Sequence, residues 1–516
     1  MPACIRMTFG RYGGVRMRLC WLAAAICSTM LLVGCGGGSS SGSQGPTLAV
    51  AFSPKDLVAY TSPDNDQSEQ SIQVLVSGTD GPLWVGVTAT MNALTHVEVA
   101  GPDLTNLRLG LHFKPAGVLP NGVHTDQIQV DICEDAECAM PIAGSPFQLS
   151  TTLNVSGSTA VSMPVTLPAP ARPALTHDVV AAAMSRSLNA LVMVGTLPDP
   201  AIYLYDLATG KERRVALSKP PTALALSLDG RKAAVGHDAR VTWVDLPSMK
   251  TSAPSVTTFD LPIAVFDLVV DGGTVIHAFP ASGQWVDLHS IDVVSRATWT
   301  THLFLYEGTR ARLHPSGDSF YMVDTRVSPQ NLERVMLAGG GVLGSQRSAP
   351  YWGDYEICSD FWMGDAGDRI YSACGNGFVS SSDVATDMLY AGRLPVIPSG
   401  PAMLPVIVAF ADSSKLGQLA FLDTGPCSMN VSVTECETYL RLADETNGQL
   451  LSTYWAPPVG NEQGSRRQRG VFLGYASDGT LYMISRLIGE SDASRAFYIS
   501  APLQERAAPA GAQRRG

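Results

Sequence analysis

The sequence predicts an all-β protein, a small sandwich followed by a larger closed ring of repeated sheets. Three observations predict it. The 516 residues include 49 glycines and 34 prolines and only short apolar runs, so turns are plentiful and long helices have little room. In the early part of the chain, apolar and polar residues alternate cleanly in short stretches. Beyond it, a strand–turn–strand unit returns at an early spacing of about 43 to 50 residues.

The clearest such unit runs from Thr222 to Leu246. Ala223 to Ser227 reads as a small-residue strand, Asp229-Gly230 as a tight turn and Lys232 to Gly236 as the returning strand. After a second turn at His237-Asp238, Arg240 to Asp245 alternates, with Val241, Trp243 and Asp245 on one face of a half-exposed strand. One unit cannot bury both its faces, so it requires neighbours stacked around an axis, as in a β-propeller. The turn signal recurs at Ser187-Leu188-Asn189, Asp271-Gly272-Gly273, Ser316-Gly317-Asp318, Asp365-Ala366-Gly367-Asp368, Ser413-Ser414-Lys415 and Ser477-Asp478-Gly479. The set predicts a seven-bladed propeller over residues 177–503, its last spacing stretched by an insertion. Outer strands ending in Tyr205-Asp206-Leu207-Ala208-Thr209-Gly210-Lys211, Val244-Asp245-Leu246 and Val286-Asp287-Leu288 resemble those of WD-repeat, YVTN and quinoprotein propellers. The complete WD signature, the sialidase Asp-box and the regular tryptophan docking motifs of quinone-dependent dehydrogenases are absent from the sequence.

Residues 47–155 carry the alternating strands: Ile72, Val74 and Val76; Leu107, Leu109, Leu111 and Phe113; Ile128, Val130 and Ile132; Phe147, Leu149, Leu153 and Val155. About seven short strands in some hundred residues read as a β-sandwich. The Trp84 strand after Gly78-Thr79-Asp80-Gly81, and the segment Cys133…Cys138…Gly144-Ser145-Pro146, resemble bacterial immunoglobulin-like domains of the BACON type. That resemblance implies either a spacer or a carbohydrate-binding module. Pro164, Pro168, Pro170 and Pro173 mark residues 156–176 as a semi-rigid linker with room for one strand around Val161 to Val165, and residues 504–516 read as a disordered tail.

The first 34 residues read as an address. Arg16 and Arg18 flank Met17, a plausible start, and the uncharged run Leu19 to Val33 suits a signal peptide better than a bilayer span. It ends in Leu32-Val33-Gly34-Cys35, which resembles the bacterial lipobox. The resemblance implies that Cys35 becomes an acylated N-terminus and ties the chain to a membrane; a plain signal peptide with a chance cysteine is the alternative. Gly36, where aspartate is not found, resembles the pattern of Gram-negative lipoproteins sent to the outer membrane, facing periplasm or cell surface. Residues 35–46 form a Gly/Ser tether.

Apolar residues at 45% and charged residues at 16% are those of a folded protein, and the net charge is −11. Four of the 35 basic residues precede Cys35 and no acid does, so the mature part is more acidic still, which argues against nucleic-acid binding. The remaining cysteines fall in near pairs, Cys133/Cys138, Cys358/Cys374 and Cys427/Cys436, and exported context favours local disulfides over a metal site. Cys358 and Cys374 are centred on Ala366, so a simple hairpin sets them opposite each other. His177, His237, His277, His289, His302 and His314 show no compact ligand spacing, and neither a Gly-x-Ser-x-Gly elbow nor a phosphate loop is present. No catalytic set, cofactor or metal site is expected. Arg466, Arg467 and Arg469 read as a solvated loop or as an anion or lipid-headgroup contact. Tyr351, Trp352 and Tyr355, with Asp354, Glu356, Phe361 and Trp362, form the densest aromatic and acidic patch; it either fills the gap between blades or stacks on a sugar or a partner's loop. Phe361 and Trp362 are expected in the innermost strand, and Tyr351, Trp352 and Tyr355 nearer the rim or funnel.

The expected function is a lipid-anchored cell-envelope protein whose propeller is a binding or scaffolding platform for an envelope protein or glycan. The alternative is a propeller enzyme, a glycan hydrolase or lyase. Convergent carboxylates or histidines with strongly shifted pKa values distinguish the second from the first.

Overall fold

The computed structural model describes residues 5–9, 15–19, 49–61, 69–77, 83–100, 107–119, 122–135, 138–155, 164–170, 173–339, 341–350, 353, 355–384, 386–396, 406–424, 436–445, 448, 450–461, 464–489 and 496–503. Cys35, the tether, Gly78-Thr79-Asp80-Gly81, Tyr351, Trp352, Cys427 and the tail lie outside them. The chain divides into two compact units, Met1–Ala160 with Tyr390–Gly392, and Val161–Leu389 with Arg393–Gly516. Among the described residues there is no α-helix; the only helical turns are the short 3-10 segments Ala116–Val118 and Pro247–Lys250. Near the start of the chain, Ile5–Phe9 pairs with Val15–Leu19 as a hairpin.

The first unit contains two four-stranded sheets. One has the order Asp56–Thr61, Phe147–Val155, Gly122–Cys133, Trp84–Ala89; the other Ala49–Ser53, Glu69–Ser77, Leu107–Phe113, Leu94–Ala100. The alternation read from the sequence decides which residues enter the core. Leu107, Leu109, Leu111 and Phe113 are buried while Arg108, Gly110 and His112 between them are half-exposed, and Ile128, Val130 and Ile132 are fully buried. A buried carboxylate fixes one turn: Asp126 accepts hydrogen bonds from the Thr90 hydroxyl at 2.7 Å and from the amides of Asn92, Ala93 and Leu94 at 2.6, 2.7 and 3.0 Å. These donors replace the water that the carboxylate gives up on burial.

The second unit is a succession of antiparallel meanders made of consecutive strands, with one parallel strand from the linker added to a single sheet. Ala181–Ser185, Ala190–Gly195, Ala201–Asp206 and Glu212–Ala216 form the first. The next six strands, from Ala223–Leu226 through Thr298–Tyr306, form one continuous sheet that is two meanders joined. The two ends of Lys232–Asp245 lie side by side: Leu246 donates its amide to Arg231 O at 3.0 Å and Lys232 Nζ reaches Asp245 at 2.5 Å. The segment must therefore fold back on itself, and it does so at Ala239, whose φ of 53° lies in the left-handed region, beside the expected turn. Val256–Val270 provides the weld. Its first half pairs with Arg240 to Val244, and its second half pairs with Val275–Pro280 as the first strand of the following meander.

Sheets beginning at Thr309–Leu313, Phe361–Met363, Ile407–Ser413 and Gln468–Tyr475 follow, the last with three strands. The first strands of successive meanders lie side by side from Ala181–Ser185 to Phe361–Met363, Trp362 of that strand meets Phe410 of Ile407–Ser413, and Gln468–Tyr475 lies against both Ile407–Ser413 and Ala181–Ser185, which closes the series. That closed succession is the topology of a β-propeller. The apolar clusters lie between neighbouring sheets: Val192 and Ile202 meet Val235 and Val244, Phe279 meets Phe320, Tyr371 meets Phe421, and Met193 and Tyr203 meet Ile484 and Ile499. Each strand sends alternate side chains to the sheet before and the sheet after, so no blade is stable alone.

The linker joins this unit. Val165–Thr166 runs parallel to Leu450–Trp455 as the outermost strand of the sheet that begins at Ile407, and Leu175 donates its amide to Phe497 on the last sheet at 2.7 Å.

Candidate functional site

The turns that close each meander's first hairpin touch one another in order around the second unit. The Ser187 hydroxyl donates to Asp229 O at 2.6 Å, Gly272 lies against Gly317, His314 Nε2 bonds Gly367 O at 2.8 Å, and Lys415 Nζ donates to Ser477 O at 3.2 Å. Small residues are needed where the turns pass closest. A Cβ on Gly317 would sit 3.1 Å from Gly272, and its φ of 76° suits glycine.

Arg186, at the end of the first inner strand, crosses this ring. Its Nε donates to Tyr475 O at 3.0 Å, one terminal nitrogen donates to Asp412 O at 2.8 Å, and the other meets the Asp365 carboxylate at 2.6 Å. One planar guanidinium thus ties the first sheet to three later segments. Asp365 belongs to a group of carboxyl groups: Asp412 and Glu445 lie within electrostatic reach of it and of each other, and Asp368 within reach of Glu445. Asp365 and Asp368 belong to one turn; Asp412 is the next-to-last residue of the inner strand of the next sheet, and Glu445 follows that sheet's third strand.

Asp412 is the singular member. It is buried, its Oδ2 accepts the Asp365 amide at 2.8 Å, and its Oδ1 has no hydrogen-bond partner. Gly364 makes room for it, since a Cβ there would lie 3.1 Å from Oδ2. Burial, with the nearby charges of Glu445 and Asp365, pushes the Asp412 carboxyl up to about 7. Glu445 is raised by burial and by Asp368, Asp365 and Asp444. Tyr371 and Tyr475 are both raised, by burial first and by the Asp412 charge second. Asp368 is exposed, and Asp365 and Glu445 are half-buried, so the cluster opens to water on one side. Composition carries no signal for it: its carboxylates are spread over residues 365–445 and meet only because the sheets close on themselves.

A second charged set joins neighbouring inner strands and is internally neutralised. Arg312 bridges Asp267 at 2.9 Å and Asp360 at 2.7 Å and donates to Phe361 O at 3.1 Å, while Arg310 lies 3.8 Å from Asp267 and 4.4 Å from the centre of the Phe266 ring.

Of the aromatic patch, Tyr355 is half-buried and meets Phe378 edge to face at 6.1 Å. Phe361 is fully buried in the inner strand Phe361–Met363, and Trp362 is half-buried and stacks on Phe410 at 6.0 Å. Disulfides join Cys133 to Cys138 and Cys358 to Cys374, with Cα atoms 5.1 and 5.2 Å apart. Cys436 is also disulfide-bonded. The basic cluster is divided. Arg467 is exposed and 3.9 Å from Glu437, whereas Arg469 is buried in the inner strand Gln468–Tyr475, where it donates to Cys436 O at 2.9 Å.

The propeller histidines are dispersed. His177 stacks on Tyr203 at 3.6 Å and meets Glu212 at 3.0 Å; His237 bonds Thr242 at 2.9 Å; His302 lies on Asp287 at 2.7 Å. His277 bonds Ser290 at 2.9 Å and is pushed down to about 4 by burial, so it is neutral.

Closed meanders around a ring of turns define the second unit as a β-propeller. Among solved structures, the chain is similar to the β-propeller domain of Swd1 (Cps50) from Myceliophteria thermophila, at 14% identity over 65% of this chain and 99% of that one, with a TM-score of 0.46. It is also similar to hydrazine synthase of Kuenenia stuttgartiensis, at 14% identity over 66% of this chain and 99% of that one, with a TM-score of 0.42. No protein-family model and no curated protein matches the sequence.

Proposed function

We propose that this chain is a cell-envelope protein, lipid-anchored through Cys35, in which an immunoglobulin-like sandwich accompanies a seven-bladed propeller that serves as a binding platform. The lipobox-like Leu32-Val33-Gly34-Cys35 supports the anchor, and the seven recurring turn signals support the blade count. The observation that carries the binding reading is the acidic mouth of the ring: Asp365 pairs with Arg186, which is already committed to three acceptors, while Asp412 and Glu445 lie within electrostatic reach of Asp365 and of each other, and Asp368 within reach of Glu445. Such a mouth takes a cationic group, the ammonium or guanidinium of a partner's side chain, because opposite charge there relieves the mutual repulsion of the acids. Tyr351, Trp352 and Tyr355 are proposed as a separate contact for an envelope partner or glycan.

The test is binding of the full mature chain to lysine- and arginine-rich peptides and to envelope glycans, with Asp368→Asn/Glu445→Gln as the comparison. Cationic-peptide affinity is expected to fall by about tenfold in the double variant. Equal affinity for the two proteins would sink the reading.

One observation favours a second reading, glycan hydrolysis. A carboxyl raised to about 7 among other carboxyl groups is the kind of acid that cleavage of a glycosidic bond requires, and Asp412 is such a group. Turnover of aryl glycosides or envelope polysaccharide by wild type, lost in Asp412→Asn, would establish it. No turnover across such a panel leaves the binding platform as the function.

A further inference from the structure

The first unit carries a separate group of side chains with metal-ligand chemistry. Leu94–Ala100 and Leu107–Phe113 pair so that His96 stands directly opposite His112, and Glu69–Ser77 on the other side sets Glu69 opposite the same histidine. The alternation that buries Leu109 and Leu111 turns His112 and Gly110 to the outer face of the sheet. The two imidazoles stack with centroids 3.9 Å apart and planes 9° from parallel.

Glu98 is drawn into the same group by a glycine. It lies across residue 110, where a Cβ would come within 2.8 Å of its Cγ, so only glycine lets this side chain lie over the neighbouring strand. There its Oε1 is 3.9 Å from His112 Nε2. On the opposite side of the ring, Glu69 Oε1 is 3.6 Å from His112 Nδ1. One ring nitrogen from each histidine and one Glu98 oxygen all lie within 4.8 Å of one another. The His112 and Glu98 side chains are 24% and 48% exposed, so the group is reachable from water.

We propose that His96, His112 and Glu98 form a binding site for a divalent transition-metal ion of the zinc, copper or nickel class, with Glu69 orienting His112 from behind. Two imidazoles and a carboxylate are the donor set those ions select over calcium or magnesium, and water completes the coordination. Glu69 at Nδ1 leaves Nε2 as the ligand atom, the arrangement by which a carboxylate fixes a metal-bound histidine. Bond lengths of about 2.0 to 2.2 Å require the three donors to draw together by about an ångström and the stacked rings to splay. Rotation about the side-chain bonds provides this, because the strands that carry the ligands are already in register. Bound metal then cross-links two adjacent strands on the outside of the sheet.

The experiment titrates the full chain with Zn2+ against a chromogenic chelator and records the electron paramagnetic resonance of the Cu2+ form. Wild type is expected to take up one ion, with a copper spectrum showing imidazole nitrogen couplings. His96→Gln/His112→Gln should weaken that uptake by at least about tenfold and remove the couplings, whereas His302→Gln, in the second unit, should change neither. Unchanged uptake in the double variant, with its circular dichroism intact, overturns the site. Should the double variant not fold, a wild-type copper spectrum without imidazole couplings overturns it, and Glu98→Gln with weakened Zn2+ uptake upholds it.

Discussion

Asp412 shows at the scale of one residue what closing the ring costs. Its carboxyl is raised to about 7, against an unfolded value of about 3.9. Between those values the folded protein keeps a proton that the unfolded chain releases, so the stabilising effect is complete below about pH 4 and is lost as pH rises through about 7. Asparagine resembles the protonated acid and keeps an acceptor for the Asp365 amide. Denaturant melts of Asp412→Asn and wild type from pH 4 to pH 8 should therefore diverge, wild type losing about 2 to 4 kcal/mol relative to the variant as pH rises. Parallel curves would mean that Asp412 titrates normally. Arg186 makes the complementary prediction. Lysine cannot reach Tyr475 O, Asp412 O and the Asp365 carboxylate together, so Arg186→Lys should cost about 1 to 3 kcal/mol in the same melts. A variant with an unchanged midpoint would show that the clamp is ornamental to stability.

At the scale of the element, strands and their first turns were legible because each is written locally. Alternation at Leu107, Leu109, Leu111 and Phe113 and the glycine at position 230 with φ 67° need no distant partner to be read. The acidic mouth was not legible, since Asp365, Asp412 and Glu445 carry no common motif and are brought together by sheet succession alone. Arg469 was misread for a related reason: it looked like part of a solvated basic run, but alternate residues of one strand face opposite ways, and this one faces the Cys436 carbonyl. The aromatic patch divides by depth. Phe361 is sealed and Trp362 only half-buried, so Phe361→Ala should cost about 3 to 5 kcal/mol and Trp362→Ala about 2, measured by thermal or urea melts. Equal losses would mean that the stack on Phe410 matters as much as full burial. The Cys358–Cys374 bridge closes a loop with a sequence separation of 16 residues, and its loss through paired Ser substitutions should cost about 3 kcal/mol on loop-entropy grounds.

At the scale of the whole molecule, Cys35→Ala tests the address. The wild-type chain is expected in the membrane fraction after a salt wash and the variant in the soluble fraction; a variant that still sediments refutes the lipid anchor. No helix among the described residues is long and apolar enough to cross a membrane. The strand Val165–Thr166 has a consequence in time. It is synthesised before any blade, yet its partner Leu450–Trp455 emerges only after nearly all the others. A chain still on the ribosome holds one half of the clasp and waits for the other, so the ring remains an open arc until translation is almost finished. An open arc exposes the apolar faces at both of its ends, and whatever shields them during that interval governs how much of the protein reaches its final form.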